Sequence, residues 1–157
     1  MSGSSAQSTA NGVQRAPRVL LIDDDAGDQY LVRRALASDE HTPEVVVIDD
    51  GDTALGYLLG RTDRGCDPPP PPDLVLLDLN LPGSDGFSIL SAVRSDARLE
   101  SIPVIVVSTS SRDEDIAHSY RLGCNTYVVK PESASTFIQV IHAVSNYWLS
   151  VDLLAND

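Results

Sequence analysis

The chain has 157 residues, a mass of 16.8 kDa and a formal net charge of −12, with 11 basic against 23 acidic side chains. An acidic chain is poorly suited to binding a nucleic-acid backbone or an anionic membrane surface, because both require a basic surface. No apolar run reaches the roughly 18 residues of a transmembrane helix, and no secretory signal is recognisable at the N-terminus. We therefore expect a cytoplasmic protein in which Cys66 and Cys124 are reduced thiols.

The chain divides into a short arm, one domain and a short tail. Residues 1–16 consist mainly of small and polar residues, which cannot bury enough apolar surface to offset the entropy of ordering, so we predict a disordered arm. The domain is expected to span residues 17–149, followed by a tail at 150–157. The tail is too short for a separate output domain, and none is predicted.

Five short apolar runs, rich in Val and Ile, each end abruptly in polar residues. They lie at residues 19–22, 45–48, 74–77, 104–107 and 127–129. Runs that are apolar at every position are typical of strands buried on both faces of a parallel sheet.

A stripe of apolar residues at helical spacing follows each of the five runs. The stripes are Leu31, Ala35 and Leu36; Ala54, Leu55, Leu58 and Leu59; Phe87, Leu90 and Val93; Ile116 and Tyr120; and Phe137, Ile141, Val144 and Trp148. Alternating strands and helices predict an α/β fold, a doubly wound parallel sheet with helices on both faces. Residues 61–72, with five consecutive prolines, interrupt this alternation and predict a stiff surface connection.

The candidate site residues follow four of the five predicted strands, at the carboxyl edge where an open parallel sheet places its ligand site. They are Asp23 and Asp24, then Asp78, then Ser108 and Thr109, and finally Lys130. Three neighbouring carboxylates repel one another, and their oxygen ligands favour a hard divalent cation such as Mg²⁺. With Mg²⁺ and Lys130 offsetting charge, a carboxylate can attack a phosphoryl group. The residues therefore predict an aspartyl-phosphate site.

Several other aspartates lie near strand ends but lack this shared placement. We interpret them as turn residues or helix N-caps, the usual role of a single Asp after a strand. They are Asp25, Asp49, Asp50 and Asp85.

The sequence resembles the receiver domain of bacterial two-component response regulators from residue 18 to about residue 146. The motifs that carry the resemblance are VLLIDDD, DDGDTAL, DLVLLDLNLPGSDG, IPVIVVSTS and YVVKP. The resemblance implies a flavodoxin-like sheet of five parallel strands in the order 2-1-3-4-5, with five helices. It also implies a phosphoacceptor whose only activities are self-phosphorylation and self-dephosphorylation.

The same resemblance assigns the metal and the phosphoryl group to particular residues. It implies that Asp78 is the phosphoacceptor and that Asp24, Asp78 and the backbone carbonyl of Asn80 bind Mg²⁺ directly. Asp23 is expected to help through water, and Lys130 to pair with the phosphoryl group.

Two further residues take switch roles by the resemblance. Ser108 is the implied switch hydroxyl, although the family more often has Thr followed by Ala where this chain has Ser108 and Thr109. Tyr127 falls at the aromatic switch position. A cis bond between Lys130 and Pro131 is also expected, since the cis isomer costs less before proline.

A narrower resemblance links the chain to the regulators associated with bacterial phytochromes. It rests on the proline-rich insertion, the STS stretch and the closing YWL segment. It implies a sensor histidine kinase of the bacteriophytochrome type as partner, and a homodimer. We expect Trp148 and the apolar tail to form an exposed patch that serves as part of the dimer surface, together with the fourth helix, fifth strand and fifth helix.

Three alternatives use the same kind of sheet. A phosphatase of the haloacid-dehalogenase type needs an acidic residue two positions after the nucleophile, where this chain has Asn80. A flavin-binding module needs a phosphate-binding loop after the first strand, where three aspartates would repel the phosphate. A degenerate receiver that only mediates contacts would not need all of the strand-end residues that this chain keeps.

Overall fold

The computed structural model describes residues 16–37, 42–61 and 69–155, with side chains described up to residue 150. Strands and helices alternate through these ranges. They are β1 (Arg18–Ile22), α1 (Ala26–Leu36), β2 (Glu44–Ile48), α2 (Gly51–Leu58), β3 (Leu74–Leu77), α3 (Gly86–Ser95), β4 (Val104–Ser108), α4 (Asp113–Arg121), β5 (Thr126–Val129) and α5 (Ala134–Ala155). The predicted doubly wound α/β fold is confirmed.

The five strands form one parallel sheet in the order β2-β1-β3-β4-β5. This is the predicted order 2-1-3-4-5. Successive residues of a strand point to opposite faces, so β1 contributes to two separate cores. Leu20 and Ile22 pack with α2 and α3, whereas Val19 and Leu21 pack with α1 and α5. Helices on both faces therefore bury the three central strands.

The two edge strands are less buried than the sequence predicted. Glu44 of β2 is exposed, its three valines are only half-buried, and Val129 of β5 is 40% exposed. The prediction that all five strands are buried on both faces is wrong for β2 and β5. An edge strand has a neighbour on one side only, so part of its surface stays accessible to solvent.

Three aspartates cap the helices that follow the first three strands. The side chain of Asp25 accepts from the N–H of Asp28 at 3.2 Å at the start of α1. Asp50 and Asp85 make the equivalent bonds at the starts of α2 and α3. These bonds confirm the predicted capping roles, and they stabilise helices whose N-termini lie at the carboxyl edge of the sheet.

The C-terminal helix differs from the sequence expectation around Trp148. Phe137 and Ile141 are buried, and Trp148 is half-buried, with its indole N–H donating to Thr126 Oγ1 at 2.8 Å. Trp148 therefore packs against β5 and is not the exposed residue that was predicted, while the tail side chains from residue 151 onward lie outside those described. Its neighbour Tyr147 is 59% exposed. The helix itself continues to Ala155, beyond residue 149.

Other expectations have mixed outcomes. Cys124 is a buried free thiol, whereas Cys66, nearly all of the predicted arm and much of the proline-rich connection lie outside the described residues. The prediction of a cis Lys130–Pro131 bond is wrong, because no cis peptide bond occurs in the described ranges; trans is the more stable isomer. None of the helices described is long and apolar enough to cross a membrane.

Candidate functional site

Backbone hydrogen bonds between strand ends bring the candidate residues to one edge of the sheet. The N–H of Asp78 donates to Ile22 O at 2.9 Å, which places Asp78 level with the end of β1 and with Asp23. On the other side, the N–H of Lys130 donates to Ser108 O at 2.8 Å. Each residue is thus positioned by the ladder of the parallel sheet.

Three carboxylates converge at this edge. Oxygens of Asp23, Asp24 and Asp78 all lie within 4.8 Å of one another. Asp23 and Asp78 are 2% and 6% exposed, whereas Asp24 is exposed. Burial raises the pKa of Asp23 to about 6, and the charge of Asp78 adds to this rise, while a backbone hydrogen bond and Lys130 oppose it. An all-oxygen donor set with excess negative charge fits a hard divalent cation.

The ammonium group of Lys130 lies among the buried carboxylates. Its Nζ is 3.0 Å from Asp78 Oδ2, 3.4 Å from Asp23 Oδ2 and 2.6 Å from Asp28 Oδ2. Burial alone would lower the pKa of Lys130, but these ion pairs outweigh it and raise the pKa above its ordinary value. Lys130 is therefore a permanent cation directly beside the Asp78 carboxylate.

Sequence reasoning missed Asp28, which makes the shortest of these three contacts. Asp28 lies in the first turn of α1, and its side chain is 19% exposed. The signal in the sequence is weak, because an acidic residue in the first turn of a helix is expected for its favourable interaction with the helix dipole alone.

Ser108 and Tyr127 are connected through Ser110, a second residue that sequence reasoning missed. Ser108 is fully buried, and its Oγ accepts from the N–H of Ser110 at 3.1 Å. The hydroxyl of Tyr127 donates to Ser110 O at 2.8 Å. Ser110 Oγ in turn donates to Asp115 Oδ2 of α4 at 2.6 Å. One loop residue therefore contacts both predicted switch residues and the next helix.

The loop after β3 orients the carboxylate of Asp78. The N–H of Asn80 donates to Asp78 Oδ1 at 3.0 Å, and the Asn80 residue itself is exposed. The loop then turns back so tightly that a Cβ at Gly86 would lie 2.7 Å from Asp78 O and 2.6 Å from Leu79 Cα. Glycine at position 86 therefore permits the close approach of α3 to the end of β3.

The family model for the response regulator receiver domain matches residues 19–142 of this chain. Because this match covers most of the sequence and agrees with the sheet order and the strand-end residues, the chain belongs to the response regulator receiver domain family. This confirms the resemblance predicted from the sequence motifs.

Individual relatives agree with this assignment. The response regulator Rcp1 of Synechocystis sp. is 31% identical over 131 residues, covering 83% of this chain and 88% of its own length. The crystal structure of the phosphorylated cyanobacterial phytochrome response regulator RcpA is 37% identical with a TM-score of 0.80, covering 87% of this chain and 96% of that one. The crystal structure of the Mn²⁺-bound form of Rcp1 is 31% identical with a TM-score of 0.78, and the match covers 85% of this chain and 94% of that one. The predicted similarity to phytochrome-associated regulators is confirmed.

Proposed function

We propose that Asp78 accepts a phosphoryl group from a sensor histidine kinase and that the chain passes the signal on through protein contacts. The observation that carries this proposal is the 3.0 Å contact between Lys130 Nζ and Asp78 Oδ2, made at a buried sheet edge beside Asp23. A cation held against a buried carboxylate favours phosphoryl transfer, because the negative charge of the transition state is stabilised by a group that is already in place.

Asp78 acts as the nucleophile. One of its carboxylate oxygens forms a bond to phosphorus while the bond between phosphorus and the histidine nitrogen of the donor breaks, and the leaving imidazole takes the electron pair. Lys130 stabilises the charge on the phosphoryl oxygens, and the N–H of Asn80 orients the carboxylate. Attack of water on the acyl phosphate later releases inorganic phosphate and restores Asp78, so the activities of the chain are self-phosphorylation and self-dephosphorylation.

The acidic cluster would hold Mg²⁺. Asp24, Asp78 and the backbone carbonyl of Asn80 would bind it directly, and Asp23 through a water molecule. Bound Mg²⁺ supplies positive charge that offsets the charge of the phosphoryl group. The convergence of three carboxylates supports this assignment, as does the Mn²⁺-bound form of the relative Rcp1.

Ser108 and Tyr127 would transmit phosphorylation to the surface. The Ser108 hydroxyl accepts a hydrogen bond from the N–H of Ser110. Its own O–H can still donate one, which a phosphoryl oxygen on Asp78 would accept. Movement of Ser108 toward the phosphoryl group would break its bond to Ser110, whose carbonyl is the partner of the Tyr127 hydroxyl. The rearrangement would therefore reach the face formed by α4, β5 and α5.

We propose that the kinase is a bacteriophytochrome and that the protein is cytoplasmic; the similarity to the cyanobacterial phytochrome response regulator RcpA supports a phytochrome as the partner. We also propose a homodimer through α4, β5, α5 and the tail, since Tyr147 is 59% exposed on α5 and a two-fold pair is the commonest way to cover such a surface. Sedimentation equilibrium tests this directly: a mass near twice 16.8 kDa is expected, and a monomer with or without phosphorylation would contradict it.

The phosphoacceptor function is tested by incubating the protein with acetyl phosphate. In the presence of Mg²⁺, intact mass spectrometry should show the gain of one phosphoryl group that hydroxylamine removes. A chelator should prevent the gain, and Asp78→Asn should abolish it because an amide is a poor nucleophile. Normal labelling of the Asp78→Asn variant would contradict the proposal, and Asp113→Asn, a change on the exposed first turn of α4, serves as the control.

A further inference from the structure

Asp28 makes the shortest contact of Lys130, yet the proposed function gives it no role. Its Oδ2 lies 2.6 Å from Lys130 Nζ, compared with 3.0 Å for Asp78 and 3.4 Å for Asp23. The pair is shielded from water, since the side chains of Asp28 and Lys130 are 19% and 10% exposed. A charge-assisted bond of this length in a partly buried setting is stronger than a surface ion pair.

We propose that Asp28 is a positioning residue that competes with the phosphoryl group for Lys130 and thereby weakens the affinity of the site for anions. The inference rests on the proposed role of Asp78 and adds a determinant of how readily that residue is phosphorylated.

The number of donors on Lys130 creates this competition. An ammonium group has three N–H donors, and Lys130 has one carboxylate acceptor for each of them. A phosphoryl group gains a bond from Lys130 only by sharing or replacing one of these acceptors. Asp78 becomes phosphorylated and Asp23 faces the proposed metal, whereas Asp28 has neither role. Asp28 therefore keeps its negative charge and its ion pair with Lys130 after Asp78 is phosphorylated.

The capping of α1 does not depend on the Asp28 carboxylate. The bond from Asp28 to the capping residue Asp25 uses the backbone N–H, which every substitution except proline retains. Asp28→Asn is therefore expected to keep α1 intact. It removes the charge while keeping an oxygen that accepts a weaker, neutral hydrogen bond from Lys130.

The test is a titration with beryllofluoride, which mimics a phosphoryl group on a carboxylate, in saturating Mg²⁺ and followed by fluorine NMR. Asp28→Asn should lower the half-saturating concentration by about fivefold, the difference expected between a charged and a neutral acceptor on Lys130. Asp28→Glu keeps the negative charge, so its half-saturating concentration should equal that of the unmodified protein. Asp113→Asn, with the same charge change at the first turn of α4, should have no effect.

A Lys130→Met background separates competition from direct repulsion. If Asp28 acts through Lys130, the Asp28→Asn, Lys130→Met double variant binds beryllofluoride no better than Lys130→Met alone. Tighter binding by the double variant overturns the proposal, as does unchanged affinity of the Asp28→Asn single variant. These failures leave the proposed function standing if the unmodified protein still takes up a phosphoryl group on Asp78, whereas loss of that uptake contradicts the proposed function itself.

Discussion

The hydroxyl of Tyr127 donates a 2.8 Å hydrogen bond to the backbone carbonyl of Ser110, which joins β5 to the loop after β4. The N–H of Ser110 contacts Ser108 Oγ at 3.1 Å, so the two predicted switch residues share a single loop residue. A displacement of Ser108 toward Asp78 must therefore change the surroundings of Tyr127 as well.

Replacing Tyr127 with Phe should remove this link without touching the acceptor site. The loss of one partly buried hydrogen bond should reduce the free energy of unfolding by about 1 kcal/mol, measured by urea denaturation. Uptake of a phosphoryl group on Asp78 should be unchanged. Tyr30→Phe is the matched control, since Tyr30 is 59% exposed on α1, outside the proposed dimer face. An equal loss of stability in both variants would contradict this prediction.

The raised pKa of Asp23 predicts a particular dependence of stability on pH. Its pKa is about 6 in the folded chain against 3.8 for an ordinary Asp, mainly because of burial. Between these pH values the folded state binds more protons than the unfolded state does, so the contribution of Asp23 to the free energy of unfolding falls as pH rises. Urea denaturation in a chelator should show this fall as a difference between the unmodified protein and Asp23→Asn. If the difference in the free energy of unfolding between the two proteins stayed constant from pH 3.8 to about 6, the raised pKa of Asp23 would be contradicted.

Metal affinity should distinguish Asp24 from Asp23. Asp24→Ala removes a proposed direct ligand and should weaken Mg²⁺ binding strongly, whereas Asp23→Ala should weaken it less, because that contact is proposed to run through water. Calorimetric titration with Mg²⁺ measures both, with Asp113→Ala as a control for the change in net charge. Equal losses in the two variants would contradict the division of roles.

Arg94 should be a main determinant of stability away from the site. Its guanidinium group donates to Gly123 O, Glu100 O, Ile102 O and Asn125 Oδ1 at 2.7–3.0 Å, which ties the end of α3 to two loops. Arg94→Lys removes most of these bonds, because one ammonium group cannot reach all four acceptors.

We expect this substitution to lower the free energy of unfolding by roughly 2–3 kcal/mol in urea denaturation. Arg121→Lys, at an exposed position at the end of α4, should change it by less than about 0.5 kcal/mol. Similar losses for the two variants would show that the bonds of Arg94 are not stabilising.

Much of the site was predictable because it depends on strand ends. Asp23, Asp78 and Lys130 each follow an apolar run, and parallel strands bring such residues to one edge. Asp28 was not predictable, because its contact with Lys130 depends on how α1 lies over the sheet. Trp148 was misjudged for a related reason: its hydrogen bond to Thr126 joins residues on two elements, and no local pattern encodes that contact.

The most direct test of the central claim is to locate the phosphorylated residue. After incubation with acetyl phosphate and Mg²⁺, borohydride reduction converts an aspartyl phosphate to homoserine, and tandem mass spectrometry of the peptides identifies its position. We expect homoserine at position 78 alone. Homoserine at Asp23, Asp24 or Asp28 with an unmodified Asp78 would contradict it.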